Sequence, residues 1–261
     1  MQRVAHQSNI ETVEPRRRPL KTPDASTPVV EIKGLRKTYY KPDGSIMVEA
    51  LRGVDLSVCK GELLAIMGPS GSGKSTLLTL LGCLDRPTEG MCKLGGRDIK
   101  EMNDEELSKF RGRAVGFVFQ SFNLISQHSI LENAAVPLFY QGVTPAERSR
   151  RASEKLRLVG LDDRAHHRPI ELSGGQQQRA AIARALVTEP LLLLADEPTG
   201  NLDTATGQQI LGLFDDLHDR GSTIIMVTHD PTVAARCRRV VRLRDGLVES
   251  DELNDSNPAS R

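Results

Sequence analysis

The chain has 261 residues, room for one large domain or two small ones, with 35 Lys+Arg against 34 Asp+Glu and a formal net charge of +1. That balance, with 3% aromatic residues and no Trp, excludes a basic, base-stacking nucleic-acid coat. The apolar runs are far short of the roughly 18–20 residues that span a bilayer, no apolar signal segment opens the chain, and four dispersed cysteines without metal spacing predict a reduced compartment.

Residues 1–28 carry Pro15, Pro19, Pro23 and Pro28 and read as a solvated, disordered leader. Its Arg16, Arg17 and Arg18 could also touch anionic lipid. A folded body over 29–250 then opens with β-rich sequence. Residues 29–33 alternate, 46–51 follow a Pro42-Asp43-Gly44 turn, and 54–58 alternate again. Residues 63–67 form a continuous apolar run ending in a glycine-rich turn, the pattern of a buried strand feeding a helix over 77–84. Short apolar strands are expected at 115–119, 191–195 and 223–227. Strands alternating with helices point to a parallel sheet.

A helical insertion is expected over about 121–190. Thr144-Pro145-Ala146-Glu147 reads as a capping-box Thr with Pro at the first helical position, opening a helix that runs to about Leu158 and stops at Gly160. A second amphipathic helix is expected over 177–187. Residues 251–261 are acidic and polar and are expected to fray.

The segment Gly68-Pro69-Ser70-Gly71-Ser72-Gly73-Lys74-Ser75-Thr76 fits G-x-x-x-x-G-K-[ST] in the required strand-to-helix setting. Polyphosphate needs convergent donors at close range. Gly71 and Gly73 let backbone N–H groups turn inward, and the following helix points its positive end at the anion. Lys74 would reach the β- and γ-phosphates, and the Ser75 hydroxyl would ligate Mg²⁺. A second apolar strand ends in Asp196-Glu197, at the sheet edge where ligands sit in such folds. Asp196 can hold Mg²⁺ through water, and Glu197 is placed to polarise a water for attack on the γ-phosphorus.

Leu172-Ser173-Gly174-Gly175-Gln176 precedes the second helix with capping-box spacing between Ser173 and Gln176. Two glycines in a first turn cost helix stability. Close backbone approach to an anion accounts for them, which makes this a second helix N-terminus aimed at phosphate. One nucleotide needs one cradle. Ser173, Gly174, Gly175 and Gln176 are therefore expected to contact ATP held by another copy, in a twofold head-to-tail dimer.

In this order, the phosphate loop, Gln120, residues 172–176, Asp196-Glu197, Asn201-Leu202-Asp203 and Thr228-His229 resemble the ABC ATPase cassettes, over essentially all of 29–250. The resemblance implies an α/β fold: a P-loop NTPase cassette with a RecA-like parallel-sheet core, an N-terminal antiparallel β portion and an inserted α-helical subdomain. It implies that Tyr39 stacks on adenine (Tyr40 aligns less well) and that Gln120 senses Mg²⁺ and water while contacting a membrane subunit. Ser75, Gln120 and Asp196 would be the metal set. Asp203 would cross the dimer interface, and His229 would contact the γ-phosphate beside the catalytic Glu197. Residues 82–88, 117–120, 172–179 and 195–203 resemble the macrolide-exporter (MacB-type) and lipoprotein-releasing (LolD-type) branch.

The function so implied is ATP hydrolysis with ATP and Mg²⁺ by a homodimer. It would drive integral-membrane permease subunits from the cytoplasmic side of a bacterial-type inner membrane, without nucleic acid. By analogy, the work is export or extraction of a lipoprotein, peptide, macrolide or other amphiphile. The rivals are a non-transporting mechanotransmission complex and a soluble ABC protein acting on nucleic acid. A single cassette without heptads or basic surplus opposes the latter.

Overall fold

A computed structural model describes residues 28–254; all of the expected leader but Pro28, and the segment beyond 254, lie outside the described residues. The chain opens with β1 (Pro28–Tyr40), β2 (Ile46–Cys59), β3 (Leu63–Met67), α1 (Lys74–Leu81), β4 (Glu89–Leu94) and β5 (Arg97–Asp98). There follow α2 (Asp104–Ala114), β6 (Val115–Phe119), α3 (Ile130–Tyr140), α4 (Pro145–Leu158) and α5 (Gly174–Leu186). Then come β7 (Leu192–Asp196), α6 (Thr204–Asp219), β8 (Ile224–Val227), α7 (Pro231–Ala234), β9 (Arg239–Arg244) and β10 (Leu247–Leu253).

The strands form two sheets, an antiparallel one ordered β2-β1-β4-β5 and a six-stranded one ordered β10-β9-β3-β8-β7-β6. In the second, β9, β3, β8, β7 and β6 are parallel, and β10 closes the edge antiparallel to β9. Side chains alternate between its faces, as the pleat dictates. Leu63 and Ala65 of β3, with Leu193 and Ala195 of β7, face a core built with α3, α4, α5 and α6. Leu64 and Ile66, with Leu192 and Leu194, face α1 and the antiparallel sheet. Both faces are covered, which is why these strands read as continuous apolar runs.

Four expectations change. The two short strands at 46–51 and 54–58 are one strand, β2, whose pairing with β1 shifts register several times. The helix after the phosphate loop starts at Lys74 and ends at Leu81, where Gly82 and left-handed Cys83 (φ +52) stop it. Thr144 makes no side-chain capping bond; Glu147 turns instead to Arg150, at 2.7 and 2.8 Å, so α4 starts on Pro145 alone. Finally, Asp251 to Leu253 are not frayed. They belong to β10, where the Asp251 carboxylate pairs with the Arg239 guanidinium at 2.6 Å.

Candidate nucleotide site

Strand order places the candidate residues side by side. Asp196 pairs in register with Phe119 on one side and Val227 on the other, and Ile66 of β3 lies beside Val227. One residue beyond these ends come Gln120, Glu197, Thr228 and, after Met67, Gly68. The carboxyl edge of four neighbouring parallel strands thus carries residues from four separate stretches of sequence, the place where α/β sheets hold ligands.

The phosphate-type loop is fixed by close packing. A Cβ on Gly68 would fall 2.2 Å from the Leu243 carbonyl oxygen, and one on Gly73 would fall 2.6 Å from that of Ala50. Both have positive φ, +154° and +100°, so glycine is required on two counts. The Lys74 ammonium arches back and donates to the Gly68 and Pro69 carbonyls at 2.7 and 2.8 Å. Ser72 turns inward, its hydroxyl buried without a hydrogen-bond partner. Ser70, Gly71, Gly73, Lys74, Ser75 and Thr76 line an open cleft of about 990 Å³, whose far wall is the β1–β2 hairpin with Tyr39. The Lys37 ammonium lies 5.0 Å from the Tyr39 ring centroid.

Beside the loop, Glu197 accepts from the Thr228 hydroxyl on Oε2 and from the His229 amide on Oε1, both at 2.9 Å, and the His229 ring Nδ1 lies 2.5 Å from the same Oε1. The Glu197 side chain is only 19% exposed, whereas the His229 ring is 78% exposed. Asp196 is half-buried. Desolvation, then the neighbouring Glu197 charge, push its carboxyl above the usual range, and Lys74 opposes them. Gln120 and Asn201 clasp each other, Gln120 Nε2 donating to Asn201 Oδ1 at 3.1 Å and Asn201 Nδ2 to the Gln120 carbonyl at 3.0 Å.

The segment 173–176 lies elsewhere. Ser173 caps α5 in a true capping box with Gln176. A Cβ on Gly174 would approach Leu202 at 3.2 Å, and one on Gly175 would fall 2.4 Å from Thr206 Cγ2. Packing against the start of α6 therefore gives Gly175 a reason of its own, besides the expected approach to an anion. Asp203 caps α6, accepting from the Thr206 amide at 3.0 Å and hydroxyl at 2.6 Å. The hydroxyl bond and then the amide bond hold its carboxyl below the usual range.

Three supporting residues lie outside the set of candidate site residues. Asn133 of α3, fully buried, accepts from the Ile125 amide at 2.7 Å and donates to the carbonyls of Ile125, His128 and Ser129. Arg184 of α5 donates to the carbonyls of Phe122 and Asn123, two residues at φ +59° and +51°. Gln178, also on α5, donates to the carbonyls of Pro198 and Phe119 at 2.6 and 3.4 Å. The sequence signal for Arg184 is a charged residue on an otherwise apolar stretch of helix; Gln178 stands among Gln176, Gln177 and Arg179 and has no such signal.

The sequence matches the ABC transporter family over residues 51–200. It is 56% identical to an uncharacterized ABC transporter ATP-binding protein of Thermotoga maritima, over 86% of this chain and 95% of that protein. It is 49% identical to the pyoverdine export ATP-binding/permease protein PvdT of Pseudomonas putida, over 90% of this chain but 36% of the relative. The macrolide export ATP-binding/permease protein MacB of Nitrosomonas europaea is 46% identical over 90% of this chain and 35% of its own length. This chain thus spans about a third of these two relatives. A solved dimeric ATP-binding cassette, in a post-hydrolysis state with ADP and phosphate, superposes with a TM-score of 0.77 at 45% identity, covering 86% of this chain and 98% of that one. A phosphate-type loop and a paired carboxylate at one sheet edge, together with these likenesses, place the chain in the ABC transporter family, as an ATP-hydrolysing cassette of the α/β type.

Proposed function

We propose that the chain is the motor subunit of a membrane transporter of the exporting kind, and that two copies close head to tail around two ATP molecules. One observation carries the two-copy reading. Tyr39, Ser70, Gly71 and residues 73–76 line one cleft, and none of residues 173–176 borders it. A nucleotide lying on Lys74 would leave Ser173, Gly174, Gly175 and Gln176 free to cap the γ-phosphate of ATP on a twin, with Asp203 beside that junction. That a similar cassette was solved as a dimer with ADP and phosphate supports the pairing of two copies.

Within the cleft, Tyr39 would stack on the base, while Gly68 to Thr76 cradle the phosphates through backbone amides. The donor set suits Mg²⁺. Among the described residues no cluster of three His, Cys, Asp or Glu could cage a metal alone, and Mg²⁺ is usually held by one or two carboxylates plus substrate phosphates. Ser75, Asp196 and Gln120 would hold it, and bound Mg²⁺ would neutralise charge developing on the phosphoryl oxygens. Glu197, oriented by Thr228 and His229, polarises the attacking water and takes its proton.

The permease is the partner that the relatives' fused permeases suggest. An open groove of about 380 Å³ between β6 and the helical subdomain, with Leu84, Phe119, Pro137 and Arg184 on its walls, is a fitting seat. No helix among the described residues is long and apolar enough to cross a membrane. The cassette would work on the cytoplasmic face through that permease, exporting or extracting an amphiphile.

The test is Glu197→Gln with Mg²⁺ and saturating ATP. The reading expects a dimer by light scattering and loss of turnover. Normal turnover would remove Glu197 from its role, and a strictly monomeric variant would sink the two-copy reading. Co-purification from membranes identifies the permease.

A further inference from the structure

Glu197 holds an unfavourable backbone, at φ +43°, the left-handed region that crowds the Cβ of a non-glycine residue. Such a conformation persists only where the surroundings fix it. Its amide donates to the Val227 carbonyl at 2.9 Å, and its carbonyl accepts from the Gly200 amide at 3.0 Å. Thr228 and His229 hold the carboxylate. All of these come from the strand edge itself. The Gln120–Asn201 clasp ties the same turn to β6, and a further tie comes from another layer of the molecule: Gln178 Nε2 donates to the Pro198 carbonyl at 2.6 Å and reaches the Phe119 carbonyl at 3.4 Å. One fully buried amide thus joins α5 to the turns that leave β7 and β6, next to Glu197 and Gln120. Its Oε1 has no partner. An apolar residue of the same length would avoid that desolvation cost, so packing alone does not call for glutamine here.

We infer that Gln178 is a positioning residue for Glu197: the bond to Pro198 sets the pitch of the turn and so the aim of the carboxylate. The same bond makes α5, which begins at Gly174, move in step with the hydrolytic edge. The inference rests on the reading of Glu197 as the residue that polarises water.

Two variants test it against wild type, with Glu197→Gln run in parallel. Gln178→Met keeps length and apolar fit but cannot donate. Expected are a fall in kcat of roughly 10- to 100-fold, the scale of a misplacement of about 1 Å, and a KM for ATP within about threefold of wild type, with a lowered Tm because the buried Pro198 carbonyl loses its donor. Gln178→Glu can donate only when protonated, so its activity relative to wild type should rise as pH falls. Either signature supports the inference, and the pH signature suffices should the Met variant not fold. Wild-type kcat in Gln178→Met overturns it, as does a pH profile of wild-type shape in Gln178→Glu. Normal turnover in Glu197→Gln would instead fault the assignment of Glu197, which separates the two failures.

Discussion

His229 grips Glu197 twice, through its main-chain amide at 2.9 Å and its ring Nδ1 at 2.5 Å, both on the same oxygen. His229→Ala removes only the ring bond, leaving the amide and the Thr228 hydroxyl in place. Steady-state kinetics should then show kcat down about 100-fold or more, with nucleotide affinity, read by fluorescent-analogue titration, within about threefold. A variant that loses affinity and rate equally would contradict this division of labour.

Gly175 offers a second test. Gly175→Ala drives its new methyl into Thr206 Cγ2, and overpacking of this kind costs about 1–3 kcal/mol. Thr206→Ser deletes that methyl while keeping the hydroxyl bonded to Asp203. The double variant should recover most of the melting temperature lost by Gly175→Ala. If ATP hydrolysis returns with it, packing alone explains the glycine; if stability returns without hydrolysis, close approach to phosphate matters as well.

Asp196 is set for function at the expense of stability. Burial and the Glu197 charge disfavour its ionised form in the fold, so above its raised value the folded protein is destabilised relative to the unfolded chain. Asp196→Asn should raise Tm at neutral pH by roughly 1–4 °C while reducing Mg²⁺-dependent ATP hydrolysis to background. The gain should shrink as pH falls through the acid range, because the wild-type carboxyl protonates and the penalty disappears.

The thiols divide by burial. Desolvation raises Cys83 to about 11 and Cys92 and Cys237 to about 12, whereas Cys59 is partly exposed. At pH 8 iodoacetamide should label Cys59 first in the native protein and reach the other three only on unfolding, as peptide mapping would reveal. Stability should fall as pH rises above about 9, since the unfolded thiols ionise there and the buried ones stay protonated.

The phosphate loop was legible because its nine residues are contiguous and glycine has no substitute at their backbone angles. Three of the elements that escaped notice lack an apolar signature. Helix α2 buries only Leu107 and Ala114, so its Asn103–Glu106 capping box stood in the sequence without a stripe behind it. Strand β4 buries only Cys92 and Leu94. Strand β10 buries no residue. Its carboxylates look like a solvated tail until Arg239 and Arg244 are seen across the ladder, paired with Asp251 and Glu249. Gln178 and Arg184 were missed for a different reason. Their partners lie 20 to 62 residues away, and no local pattern records a contact of that range.

Strand β3 carries the phosphate loop, yet its two neighbours are β8 and β9, and the loop itself leans on Leu243 and Gly246. A ribosome therefore delivers residues 68–76 long before the residues that support them. Nucleotide capture has to wait until the strand ending at Arg244 has emerged and threaded in beside β3, the kind of non-local closure that folds late. Nascent chains halted before that point should be unable to retain ATP, and competence should arrive abruptly once that strand has emerged.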